Sequence, residues 1–319
     1  MKIAVRIIAF ILVFAVLFFC LLLAVPDMFK ESYQRAIVKQ YDYFRSIEGN
    51  KIVFIGGSSL SFGYDMDTME ELSGKPCPIL GNHASDGFPF LLEMSKSNLK
   101  DGDTVVVEYY GSSLDASDGD ELLLTGIGKR YDMHKFFPAC LWKSLIKAVP
   151  LYVQKNMKYF RLGEQYCSDI PYINDAFDER GNMSLERLDT WLSEDYVDND
   201  GSNEELQYRD YYSSVNNINY AVFDYINEYI SYCESIGVKV LITLPPVYSD
   251  AVPSYCGEDI MDKFDSIIRE NINAPLITAS KDNTYGREYV YDFMLHLNSE
   301  GAKLRTERLY EDISNNSGI

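Results

Sequence analysis

Nineteen consecutive residues near the amino terminus, Ile7 to Val25 (IIAFILVFAVLFFCLLLAV), carry no charge, no glycine and no proline. At about 1.5 Å per residue such a run makes a helix of roughly 28 Å, matched to a hydrocarbon core of ~30 Å. Lys2 and Arg6 precede it, and a basic flank stays on the cytoplasmic side. The run is longer than the apolar region of a cleaved leader, and its exit, Leu22-Leu23-Ala24-Val25-Pro26, is a poor small-residue cleavage site. Residues 1–29 are therefore expected to form a single-pass transmembrane anchor in a cell membrane. Everything after them is expected to be extracytoplasmic.

Residues 30–50 read as a helical juxtamembrane stalk ending at Gly49-Asn50. An alternation of strands and helices follows. Lys51–Ile55 (KIVFI), Pro78–Leu80, Thr104–Glu108 (TVVVE) and Lys239–Leu244 (KVLITL) are short apolar runs stopped by glycine, proline or charge, the pattern of buried parallel strands. Leu276–Ala279 is a fifth candidate. Helices are expected near Met66–Leu72, over Phe88–Leu99, over Asn217–Ile236 with Gly237 as its stop, and from an Asn298 cap to about Ile313. Strands spaced by helices imply an α/β fold in three layers, a parallel sheet with helices on both faces. Residues 111–215, rich in Tyr, Asp and Asn, read as an insertion within a domain spanning 51–319.

Charge and composition narrow the function. With 48 acidic against 29 basic residues the net charge is −19, which speaks against a nucleic-acid partner because phosphate binding needs a surplus of Lys and Arg. Six cysteines without CxxC spacing and three histidines make a zinc cluster improbable. Cysteines outside the apolar run are expected to be small buried hydrophobes. No metal and no organic cofactor is implied.

The first strand runs directly into Gly56-Gly57-Ser58-Ser59. Two glycines at a strand end allow a sharp turn and a close ligand approach; the turn alone fits a structural turn, an anion loop or a nucleophile equally well. A serine attacks only with a base beside it. Of the three histidines, His296 lies in Asp292-Phe293-Met294-Leu295-His296-Leu297-Asn298, with a carboxylate four positions earlier within reach of its ring. His134 reads as a packing or surface residue, and His83 as a pocket-wall candidate.

Taken in order along the chain, FIGGSSLSFG, GNHASDG, LITLPPV and DFMLHLNSEGAKLRT resemble the SGNH (GDSL-type) hydrolase family, and in particular its membrane-anchored, outward-facing members. The resemblance covers residues 51–319 apart from the insertion. It implies a flavodoxin-like parallel sheet, Ser58 as nucleophile, His296 as base and Asp292 as orienting acid. It also implies an oxyanion hole built from the N–H groups of Ser58 and Gly81, with Asn82 as substitute for the family's third donor. That substitute is needed because the family's Gly-x-Asn-Asp block is replaced by Val107-Glu108-Tyr109-Tyr110. A second departure is the acid–base spacing, four residues where three is common. The implied activity is ester hydrolysis on O-acyl, foremost O-acetyl, groups of a cell-envelope or exported polysaccharide. The alternatives are an accessory to a membrane-bound O-acyltransferase partner and a non-catalytic polysaccharide-binding protein.

Overall fold

Four short apolar segments set the centre of the molecule. The computed structural model describes residues 24–109, 121–168, 172–189, 219–248, 258–292 and 295–317, with scattered positions before residue 24. Strands β1 (Ile52–Ile55), β2 (Ile79–Leu80), β3 (Thr104–Glu108) and β4 (Lys239–Thr243) form one sheet in the order β2-β1-β3-β4. Every pairing is parallel, with Ile55 opposite Leu80 and Val107, and Glu108 opposite Thr243. The carboxyl ends of the strands therefore lie level, and Gly56, Gly81 and Glu108 leave the sheet along one edge. β-Branched residues dominate β1 and β3, as suits strands buried on both faces.

Helices cover both faces. On one, Val53, Val105, Val107 and Ile242 meet α1 (Ala36–Ser46), α4 (Phe88–Ser95), α5 (Leu122–Ile127) and α8 (Tyr220–Ser235), with α9 (Glu258–Asn271) beside them. On the other, Ile52, Phe54, Val106 and Leu241 meet the short α2 (Ser58–Ser61), α3 (Met66–Ser73) and the final α10 (Ser299–Ser317). Asp65 caps α3 by accepting from Thr68 N at 3.2 Å, and Asn298 caps α10 by accepting from Gly301 N at 3.0 Å. The remaining helices, α6 (Trp142–Leu162) and α7 (Leu185–Asp189), belong to the insertion.

Two expectations change. Leu276 does not open a strand; it makes an isolated parallel bridge to Ile242 before the chain turns at Ser280–Asn283. The stretch read as a stalk is docked: Ile37, Tyr41 and Phe44 of α1 are fully buried in the main core. The insertion, where described, packs against the domain, and Ala176, Phe177, Met183 and Leu188 share a cluster with Tyr33, Phe62 and Tyr291. About half of the anchor expected over residues 1–29 lies outside the described residues, and among the described residues no helix is long and apolar enough to cross a membrane.

At the opposite, amino end of the sheet, Lys51 and Asp103 form a fully buried ion pair at 2.8 Å. Asp103 also accepts the Lys51 backbone N–H at 3.1 Å, fixing the level at which β1 and β3 begin.

Candidate active site

The turn after β1 sets Ser58 at the first position of α2, half-buried at the carboxyl edge of the sheet. Its Oγ lies 2.9 Å from Nε2 of His296, a residue 238 positions away. Nδ1 of the same ring lies 2.8 Å from Oδ1 of Asp292. The three side chains expected to converge are thus in hydrogen-bonded series. An ionised carboxylate only accepts, so Asp292 fixes the ring proton on Nδ1 and leaves the Nε2 lone pair facing the serine hydroxyl.

Local backbone pairing explains why a four-residue spacing serves. Val290 and Leu297 form an antiparallel bridge, and Tyr291 N donates to His296 O at 2.9 Å. Asp292 and His296 consequently face each other across a tight turn, with 293–294 outside the described residues. Leu297 N donates to Phe62 O at 3.0 Å, joining this turn to the end of the serine helix. The Phe62 ring stacks on the imidazole at 4.1 Å and 12°, so His296 is held on its face as well as at both nitrogens.

Asp292 and His296 are 4% and 6% exposed, and that burial has opposing effects. Desolvation pushes the Asp292 carboxyl up, but the neighbouring His296 and hydrogen bonds from His296 and Tyr172 outweigh it and hold it below the usual carboxylate range. Tyr172, from the insertion, donates its hydroxyl to Asp292 Oδ2. Its ring lies 5.6 Å from those of Phe62 and Tyr33. No motif marks Tyr172 in the sequence, where it is one of 25 tyrosines.

A second network, unforeseen in the sequence, lies beneath Ser58. Glu108 is completely buried at the end of β3; it accepts from the Ser59 hydroxyl on Oε1 and from Arg305 Nη2 on Oε2 at 2.5 Å. Arg305, reaching inward from α10, also donates to Ser59 O at 3.1 Å and Leu244 O at 2.8 Å. Its guanidinium stacks 4.0 Å over the Tyr64 ring. A Cβ at Gly63 would come within 2.3 Å of Arg305 Nη1, so the glycine makes room for it. One buried cation thus ties the Ser58-Ser59 turn to β3, to β4 and to the helix that follows His296. The available signals were a carboxylate closing an otherwise apolar strand and an arginine on the inner face of α10. Tyr109, the next residue, packs between Phe88, Phe223 and Phe264 in the core.

The oxyanion donors require a correction. Gly81 N donates to Gln40 Oε1 of α1 at 2.9 Å. Asn82 is fully buried; its backbone N–H goes to Asp86 Oδ2 at 3.0 Å and its side-chain amide to Tyr33 O at 2.8 Å. Neither residue offers these donors to a substrate. Gly81 is glycine for another reason: its φ is +119°, and a Cβ there would sit 2.0 Å from Gly56 O, where the turns after β1 and β2 cross. Of the expected donors, the Ser58 N–H remains; opening α2, it has no intrahelical acceptor.

His83 caps the turn at Ala84–Asp86 by accepting from Ser85 N at 3.0 Å. His134 stacks beside Tyr131 and Phe137. Cys77 and Cys233 are buried as expected, whereas Cys140 and Cys167 are exposed. Cys20 and Cys256 lie outside the described residues. Among the described residues no group of His, Cys, Asp or Glu is arranged to hold a metal ion. No protein-family model and no curated protein matches this chain.

Proposed function

We propose that the chain is a serine esterase of the SGNH (GDSL-type) kind, anchored in a cell membrane with its α/β domain outside. It removes O-acyl, foremost O-acetyl, groups from a cell-envelope or exported polysaccharide. The observation that carries this reading is the series Asp292–His296–Ser58, with contacts of 2.8 and 2.9 Å between groups remote in sequence. The strand order β2-β1-β3-β4, with the serine turn after β1 and the acid–base turn before the last helix, supports the flavodoxin-like arrangement of that family.

In this mechanism Ser58 Oγ attacks the ester carbonyl carbon while its proton passes to His296 Nε2. The carbonyl π electrons move onto oxygen, which the Ser58 N–H faces. Asp292 stabilises the imidazolium without taking its proton. Collapse of the tetrahedral adduct expels the sugar alcohol, which takes the proton from Nε2 and leaves an acyl-serine. Water then attacks the acyl carbon as its proton passes to the same nitrogen; the bond to Ser58 Oγ breaks, Oγ takes that proton back, and the carboxylic acid is released. Each missing oxyanion donor costs ~10²–10³ in rate, and with Gly81 and Asn82 both engaged elsewhere a slow enzyme is expected.

The test is labelling of the full chain with a fluorophosphonate, together with acetate release from an acetylated polysaccharide. Wild type is expected to carry a Ser58 adduct and release acetate, and Ser58→Ala to do neither. Full acetate release by Ser58→Ala would overturn the assignment. Acyl groups appearing on an added acceptor, in place of free acetate, would move the reaction from hydrolysis to transfer.

A further inference from the structure

Helix α6 (WKSLIKAVPLYVQKNMKYFRL) carries five Lys and Arg residues and no acid, in a chain whose net charge is −19. Its inner face, including Leu145, Ala148, Val149, Tyr152 and Asn156, is buried. Its outer face is sorted into two stripes. At ~100° per residue, Trp142, Ile146, Pro150, Val153, Met157 and Phe160 fall within about 80° of one another. Lys143, Lys147, Lys158 and Arg161 fall within the adjoining ~60°. Three of the apolar side chains stand well into solvent: Trp142 is 48% exposed, Ile146 59% and Phe160 56%. The fifth cation, Lys155, turns the other way and pairs with Glu121. None of the four outer cations has an acidic partner among the described residues.

The position of this helix matters as much as its pattern. Met28 lies three residues beyond the apolar run, and its N–H donates to Asn156 Oδ1 at 3.0 Å. Tyr166 N donates to Met28 O at 2.7 Å, and Phe29 meets Tyr159 edge-on at 5.6 Å. The chain leaving residues 7–25 is therefore clamped to the second half of α6.

We propose that α6 is an interfacial helix. It lies in the plane of an anionic phospholipid leaflet, with its apolar stripe among the acyl-chain ends and its four outer cations on the headgroup phosphates. A stripe of Trp and aliphatic residues beside a row of Lys and Arg is the pattern that binding at such an interface requires. The local charge also explains how so acidic a protein approaches an anionic surface: the helix concentrates positive charge on the side where the anchor emerges. A second copy of the chain is disfavoured as occupant, because face-to-face packing would set the four outer cations of one helix against those of the other. The proposal rests on the reading of residues 7–25 as an anchor, but it concerns residues outside the Ser58 site and stands or falls independently of the esterase chemistry.

The test uses the full chain with Trp191→Phe, which leaves Trp142 as the single tryptophan, since the sequence contains two. The protein is reconstituted into vesicles of mixed phosphatidylglycerol and phosphatidylcholine, and floated proteoliposomes are read by tryptophan fluorescence. Acyl chains brominated near the headgroup are expected to quench Trp142 strongly and aqueous iodide weakly. Changing Lys143, Lys147, Lys158 and Arg161 to Gln is expected to lower the docked-to-undocked ratio roughly fivefold per residue. Phosphatidylcholine alone, or high salt, is expected to weaken docking in the same direction. Ester hydrolysis on a soluble substrate is expected to be unchanged in the Gln variants. Iodide quenching without bromine quenching would overturn the proposal by leaving Trp142 in water. Protection from both quenchers would overturn it in favour of a protein partner covering the helix.

Discussion

Removing the buried pair Glu108–Arg305 one residue at a time, and then together, tests how the nucleophile turn is held. Arg305→Met leaves Glu108, completely buried, as an uncompensated carboxylate. Glu108→Met leaves the guanidinium of Arg305, itself 2% exposed, in the same position. Breaking one side of a buried pair costs about 3–5 kcal/mol. The double variant removes both charges, but the Ser59 hydroxyl, Ser59 O and Leu244 O lose partners that they have now. At about 1 kcal/mol for each neutral group, the double variant is expected to be destabilised by ~3–4 kcal/mol, close to either single variant. The coupling energy is then about 3–5 kcal/mol. Urea unfolding of the full chain in detergent, followed by tryptophan fluorescence, measures all four corners of the cycle. Losses that add to within ~0.5 kcal/mol would refute the reasoning, since additivity marks groups that do not interact. A second readout separates positioning from stability. Both single variants and the double release the Ser59 turn, so kcat is expected to fall in all three at temperatures where they remain folded, with KM unchanged.

Three further outcomes follow from the geometry. Asp292→Asn is expected to lower kcat by about 10³–10⁴, because an amide N–H facing Nδ1 drives the ring proton to Nε2 and removes the acceptor for Ser58. Since the folded Asp292 carboxyl is held below its ordinary range, its ionised form adds stability that is present above the unfolded pKa of about 3.9 and lost as pH falls through the depressed folded value; the stability gap between wild type and Asp292→Asn, followed by urea unfolding, should close on that acid limb. Gly81→Ala keeps the N–H but places a methyl where Gly56 O stands, at a φ of +119°; a loss of at least about 2 kcal/mol is expected by thermal unfolding, and a variant as stable as wild type would contradict the crossing of the two turns. Burial pushes the thiols of Cys77 up to about 12 and Cys233 up to about 11; native-state iodoacetamide labelling read by peptide mass spectrometry should therefore modify the exposed Cys167 and spare those two.

The parts of this molecule that were legible in its sequence are those fixed by local signals. β1, β3 and β4 are runs of β-branched and aliphatic residues ended by glycine, charge or proline, and they appear where the pattern puts them. Ser58 and His296 were legible because a glycine turn after a strand and an Asp-to-His stretch before a helix each have a short signature. Tyr172, Glu108 and Arg305 were not, because their roles are set by contacts across 120, 49 and 197 positions respectively; a carboxylate closing β3 and an arginine on α10 were visible, but nothing local pairs them, and nothing marks Tyr172. The oxyanion expectation failed for a related reason. The glycine after β2 serves to let two backbones cross rather than to present its N–H. Gln40, 41 positions earlier, takes the N–H.

The segment between the apolar run and β1 shows why an expected stalk is better understood as part of the domain. A solvated spacer would be polar around its circumference, yet α1 buries Ala36, Ile37, Gln40, Tyr41 and Phe44 along one side. Asp27 pairs with Arg35 at 2.6 Å, and Tyr33 donates its hydroxyl to Asn82 O directly beside the site. From residue 27 to β1 no stretch is long enough and free enough to act as a swivel. If residues 7–25 span a membrane, the Ser58 site is held at one height and one tilt above it. On the proposed reading, an esterase so fixed would not travel along a distant polymer, so its acyl substrate would have to come to the membrane surface.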